Sequence, residues 1–198
     1  MHEYVFTLGT EIQQNYPDYP DPWDEEARAV ADAVTKLAEC KPRGITTIVD
    51  PTVIVHTSAA LKTGLIGQRI LKEEGVDLTK VVIGRCGDTT DLDYLREIAD
   101  VGSLLGMDRF GVDVFLPFEE RVTTVAALAK AGYADQIVLA NDASCYSESY
   151  KTAVLPRWNY THITDDVLPA LREHGVDEAQ IAAMLVHNPT RYLTGGQE

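Results

Sequence analysis

Four short segments of this 198-residue chain carry side chains able to do chemistry. They are His2-Glu3-Tyr4, His56-Thr57-Ser58, Gly84-Arg85-Cys86-Gly87-Asp88 and Asn141-Asp142-Ala143. Imidazole and carboxylate groups suit divalent zinc, manganese, iron or cobalt. Each segment follows or ends an apolar run that reads as a β-strand, the place where a (β/α) barrel keeps its catalytic groups. Three protein ligands and a water can hold one catalytic zinc if they converge. Each residue also has a plain structural role. His2 stands near a terminus, His56 fits a hydrogen-bonded core histidine, and Asp142 fits a turn or cap. Gly84 to Asp88 is not a phosphate loop, because it lacks the Gly-Lys-Ser/Thr ending. Cys86 and Cys145 sit near these segments without a His/Asn arrangement that would activate a thiol, so they read as packing residues.

The elements that must position these groups alternate strand and helix. Trp23 to Lys41 has apolar or small residues at helical spacing, with Asp21-Pro22 as its start and Gly44 ending the turn after it. Ile45 to Val49 reads as a buried strand. Helices are expected over Leu65 to Glu74, Asp91 to Ala99 with Asp91 as cap, Phe118 to Ala131, Asp165 to His174 and Asp177 to Val186. Gly75, Gly132 and Gly175 mark three of their ends. Strands are expected at Val81 to Ile83, Leu104 to Met107 and Gln136 to Ala140. This order argues for an α/β fold, a parallel sheet with helical crossovers. The rhythm breaks at Thr46 to His56, where two strand ends meet with no helix between them. Parallel neighbours need a crossover of about a dozen residues, which places a seam near Val53-Ile54.

Composition sets the outer bounds. The length suits a single domain spanning residues 1–198. A net charge of -14 argues against nucleic acid or an anionic membrane as partner, since both require a basic surface. No apolar run approaches the roughly 20 residues of a membrane helix. The start lacks the basic and apolar regions of a signal peptide. Cys40, Cys86 and Cys145 are odd in number and widely spaced, which points to free thiols and a reducing compartment, the cytoplasm.

Several longer stretches carry a family resemblance. These are Gln68 to Asp77, Gly84 to Asp88, Gly106-Met107-Asp108-Arg109-Phe110-Gly111, Leu155-Pro156-Arg157-Trp158 and Asn188-Pro189-Thr190-Arg191. Together they make the chain similar to the phosphotriesterase family of the amidohydrolase superfamily, particularly its phosphotriesterase-like lactonases. The resemblance implies a (β/α)8 TIM barrel with two divalent metals at the carboxyl ends of its strands. A full barrel takes about 250 residues. The expectation is therefore an incomplete barrel of about five or six parallel strands. The third and fourth β/α units would be missing at the seam, and with them the lysine that bridges the metals.

The resemblance also assigns roles. His2, His56 and Asp142 match metal ligands, and Asp142 is also the proton acceptor. Tyr4 and Arg85 stand where the family has histidines. A phenol stays protonated near neutral pH, with a pKa of about 10. A guanidinium cannot ligate a cation and repels one. The implied cofactor is a divalent metal, zinc in the first place, in a binuclear site that is incomplete. Arg69 matches a pocket arginine that pairs with the aspartate matched by Asp108. Trp158 falls in a loop that shapes the pocket. On structural grounds alone, Arg69 reads as a helix-surface charge, Asp108 as a strand-end turn and Trp158 as apolar packing. The implied activity is metal-hydroxide attack on lactones or organophosphate esters. The alternative is an inactive remnant that serves as a binding protein. A small ester or lactone is the implied partner. Open strand edges left by missing units point to a homo-oligomer.

Overall fold

Three apolar runs become strands whose residues are all buried: β2 (Val82–Ile83), β3 (Leu104–Met107) and β4 (Ile137–Leu139). The computed structural model describes residues 4–7, 34–36, 38–45, 57–147 and 155–194, with the backbone alone at 4–7 and 144–147. The three strands form one parallel sheet in the order β2-β3-β4, with Ile83 opposite Leu105 and Met107 opposite Leu139. Side chains alternate across a strand. Ile83, Leu105, Met107, Ile137 and Leu139 therefore enter the main core. Val82, Leu104 and Val138 form a smaller cluster of their own, against which Tyr192 packs.

Helices cover the main-core side. They are α1 (Thr63–Glu73), α2 (Leu92–Asp100) between β2 and β3, and α3 (Phe118–Leu128) between β3 and β4. Helix α2 starts where the sequence places it, because the Asp91 carboxylate accepts the N–H of Tyr94 at 3.0 Å. It buries Tyr94, Leu95, Ile98 and Ala99 at i, i+1, i+4 and i+5, one face of a 3.6-residue period. Buried Gln68 ties α1 to α2 by donating to the Ile98 carbonyl at 2.9 Å. Helix α3 stops as an α-helix at Leu128. It runs on as a wider turn over Ala129–Tyr133, in which Gly132 has φ 94°.

Further along, α4 (Leu168–Glu173), α5 (Glu178–Ala182) and α6 (Asn188–Thr194) follow. The Asn-Pro-Thr-Arg stretch opens α6. Fully buried Asn188 donates to the carbonyls of Ala134 and Ile137 at 2.8 and 2.7 Å, which docks this helix on the start of β4.

Several expectations shift. Residues 34–36 and 38–40 are helical and Lys41–Arg43 form a 3-10 turn closed by Gly44 at φ 75°; the rest of the expected first helix lies outside the described residues. So does the strand expected at Ile45 to Val49, apart from Ile45, which is not in a strand. The first segment was expected at a strand's end, yet Tyr4 begins strand β1 (Tyr4–Thr7). Tyr-Val-Phe-Thr is aromatic and β-branched throughout, which favours extended backbone. Its partner is β5 (Ser144–Ser147), parallel, with Tyr4 opposite Ser144 and Thr7 opposite Ser147. Strand β5 was not expected, because Ser-Cys-Tyr-Ser lacks an apolar run. Among the described residues no helix is long and apolar enough to cross a membrane.

Candidate functional site

One residue shortly after each of β2, β3 and β4 has an unusual backbone. Arg85, Arg109 and Asp142 have φ of 66°, 61° and 54°, left-handed values that L-residues with a Cβ rarely adopt. Among the described residues only Lys62 joins them as a non-glycine with positive φ. Strained positions of this kind persist where the surroundings over-determine them, and they gather at functional sites. Here the surroundings can be named.

Asp108 is fully buried directly after β3, and its carboxylate accepts the backbone N–H of Arg85 at 2.9 and 3.1 Å. This joins the β2 loop to the β3 loop. Arg121 on α3, also fully buried, donates to the carbonyls of Leu116 and Asp108 at 3.0 and 2.9 Å and to that of Gly87. It also donates to the Asp88 carboxylate at 2.8 Å. Gly87 is required by this closeness: a Cβ there would collide with the Asp108 carbonyl oxygen.

Asp88 bridges two arginines, accepting from Arg121 on one oxygen and from Arg109 on the other, both at 2.8 Å. Burial raises its carboxyl pKa above the ordinary value, and the Arg121 hydrogen bond opposes that rise. The Arg109 guanidinium lies 4.3 Å from the centre of the Phe115 ring, a cation–π contact. The Asp142 carboxylate, almost wholly buried, has one oxygen 3.7 Å from Arg109 Nε and 3.9 Å from Arg85 Nη2. Two guanidinium groups thus face one carboxylate at ion-pair distance.

Trp158 is half-buried beside this corner. Its indole N–H donates to the carbonyl of Asn141, the residue before Asp142, at 2.9 Å. The Asn141 side-chain amide donates to the Tyr160 carbonyl at 3.3 Å. The loop carrying Trp158 therefore holds the loop carrying Asp142. Cys86 is buried with its thiol on the Ile83 carbonyl at 3.1 Å. Burial first, and the Asp108 charge second, push that thiol well above the usual range, consistent with a packing role.

Of the expected site residues, the structure brings together Arg85, Asp108, Asp142 and Trp158. His2, His56 and the Tyr4 side chain lie outside what the structure describes. Arg69 is elsewhere. It is exposed on α1, lining a groove of about 370 Å³ with Leu65, Lys72, Leu78, Glu97 and Val101. The expected Arg69–Asp108 pair does not form among the described residues, because α1 turns Arg69 to solvent while Asp108 is buried under Arg85 and Arg121. The arginine at the strand ends is Arg109. It was quoted in the Gly106 to Gly111 motif without a role; its signal in the sequence was its place directly after the strand-end aspartate. Arg121 gave no such signal, since Phe-Glu-Glu-Arg reads as an ordinary charged helix start.

Among the described residues no group of three or more His, Cys, Asp or Glu side chains could hold a metal ion. At this corner, among the described residues, Asp142 faces two side chains that are cations themselves and cannot ligate a metal. The residues described here do not fit a metal at Asp142.

The comparisons agree with one another. The sequence model of the Phosphotriesterase family matches residues 51–193. A phosphotriesterase homology protein of Mycobacterium tuberculosis is 35% identical, covering 96% of this chain and 91% of the relative. That match runs over 300 residues against a chain of 198, so at least 102 aligned positions (300 less 198) have no counterpart here. An aryldialkylphosphatase of Saccharolobus solfataricus is 43% identical over 148 residues, 72% of this chain and 47% of the relative, so the chain spans about half of that protein. The solved structure of the phosphotriesterase from Mycobacterium tuberculosis superposes with a TM-score of 0.88 at 34% identity, covering 97% of this chain and 92% of that one. Sequence, parallel sheet and strand-end cluster converge on a TIM-barrel hydrolase lineage, and the chain belongs to the phosphotriesterase family.

Proposed function

We propose that the cluster at the ends of β2, β3 and β4 receives a small-molecule ester or lactone. The observation that carries this reading is the gathering of Arg85, Asp108, Arg109 and Asp142 at three successive strand ends, with Trp158 fastened to the Asp142 loop. In a (β/α) barrel those ends are where substrates are handled. Asp142 is the candidate proton acceptor, and Trp158 and Asp108 shape the pocket, one by packing and the other by fixing the Arg85 loop. Family membership favours hydrolysis of lactones or organophosphate esters. In that reading His2, His56 and Asp142 hold a divalent metal, zinc first. Turnover of a lactone and of paraoxon by the purified chain, abolished by Asp142→Asn, is the outcome that hydrolysis requires; no turnover of either sinks it.

A second reading is a binding protein descended from the hydrolase, and one observation favours it. The Arg85 and Arg109 guanidinium groups already face the Asp142 carboxylate. Saturable lactone binding without turnover selects this reading over the first.

The same proposal covers the chain's organisation: one domain over 1–198, an incomplete barrel of about five or six strands, with the third and fourth β/α units missing near residues 53–54. The positions without counterpart support it, as does a family match beginning at residue 51. The seam itself lies outside the described residues. A cytoplasmic setting is supported by the buried thiol of Cys86, which is in no disulfide.

A further inference from the structure

The corner made by Arg85, Arg109 and Asp142 disagrees with a metal on grounds of both chemistry and distance. Two of its three side chains present N–H groups and a permanent positive charge. Zinc binds a carboxylate oxygen at about 2.0–2.2 Å, so a zinc on Asp142 Oδ2 would lie within about 6 Å of both guanidinium groups. Neither arginine is loosely held. Arg109 is pinned by Asp88 at 2.8 Å and by the Phe115 ring, and Asp88 is pinned in turn by buried Arg121. The Arg85 backbone is fixed by the Asp108 carboxylate, and its side chain is only 19% exposed.

We propose that Arg85 and Arg109 stand in for a metal cation at Asp142, neutralising its carboxylate from within the chain and excluding a divalent ion. The inference rests on the second reading above. It extends that reading by naming Arg85 as the residue whose reversal reopens the seat. Arg85 stands one residue beyond the end of β2, and an imidazole in its place would turn a cation into a neutral donor facing Asp142.

The test is zinc and cobalt binding to the full chain, by isothermal titration and by cobalt absorption, with no ester present. Wild type and Asp142→Asn are expected to bind equally weakly. Arg85→His is expected to bind roughly tenfold or more tightly, with cobalt bands that vanish when Asp142→Asn is added. Arg85→Gln removes the charge without adding a donor, and a smaller gain in the same direction is expected. It also keeps the test decisive if circular dichroism shows Arg85→His unfolded. Wild-type metal binding that Asp142→Asn weakens would overturn the proposal, and so would folded Arg85 variants with unchanged affinity. Failure of lactone binding would count against the ester site alone.

Discussion

At the scale of single residues, Arg121 has the largest structural task in the site. It is a buried guanidinium whose hydrogen bonds reach carbonyls in two loops and one carboxylate. Removing one partner of a buried pair leaves the other charge uncompensated, at a cost of about 3–5 kcal/mol. Arg121→Met is expected to lose that much in urea unfolding, because one oxygen of Asp88 and the carbonyls of Gly87 and Asp108 lose this donor together. Arg121→Lys should recover little, since one ammonium cannot span the same fork. None of this was legible in the sequence. A charge three residues into a helix looks solvated until the fold folds it inward. Asp142 and Asp108 were legible because strand ends and the family motifs both mark them. Arg69 was misplaced because a motif gives residue identity without the direction its helix faces.

At the scale of elements, the sequence is most informative where local chemistry alone decides. The Asp91 cap is a case: a carboxylate three positions before Tyr94, the first buried residue of its helix face, satisfies a free N–H whatever surrounds it. The Lys62 ammonium first, and the Tyr94 N–H second, hold the Asp91 carboxyl below the ordinary range. A depressed folded value means the stabilisation is present above the unfolded value near 3.9 and is lost as pH falls through the folded one. Asp77, held low by Thr79, adds to the same acid limb. Asp91→Asn keeps a capping side chain but removes the titration. Its far-UV circular dichroism should match wild type near neutral pH and fall less steeply between about pH 5 and pH 2. A limb as steep as wild type would refute this. Where tertiary pairing decides, the sequence was silent. Strand β5 is polar, and it forms by lying parallel to β1 from the far end of the chain.

At the scale of the whole molecule, three of the described strands pair into one sheet and two into another. Among the described strands β2 has β3 as its one neighbour, and β4 is the other edge of that sheet. Edges left open invite pairing. Leu61, Ile66, Ile70 and Val101 add exposed apolar surface, each at least 41% accessible. Size-exclusion chromatography is expected to show a dimer or larger species above the 21.8 kDa of one chain. A clean monomer across a concentration series would contradict it. The parallel α/β plan was readable because buried strands and amphipathic helices have different periods. How many strands close the sheet was not readable, since closure depends on long-range pairing that no local period encodes.

The left-handed backbone shared by Arg85, Arg109 and Asp142 reaches beyond stability. The Arg85 loop is held in shape through its backbone, whose N–H donates to the Asp108 carboxylate whatever side chain stands at the strained position. A lineage can therefore exchange that side chain and inherit the loop intact. Some arginine codons become histidine codons by a single base change, so at residue 85 one point mutation can separate a cation from a ligand. Gain and loss of chemistry here would be a matter of mutational supply, with the architecture waiting unchanged in either case.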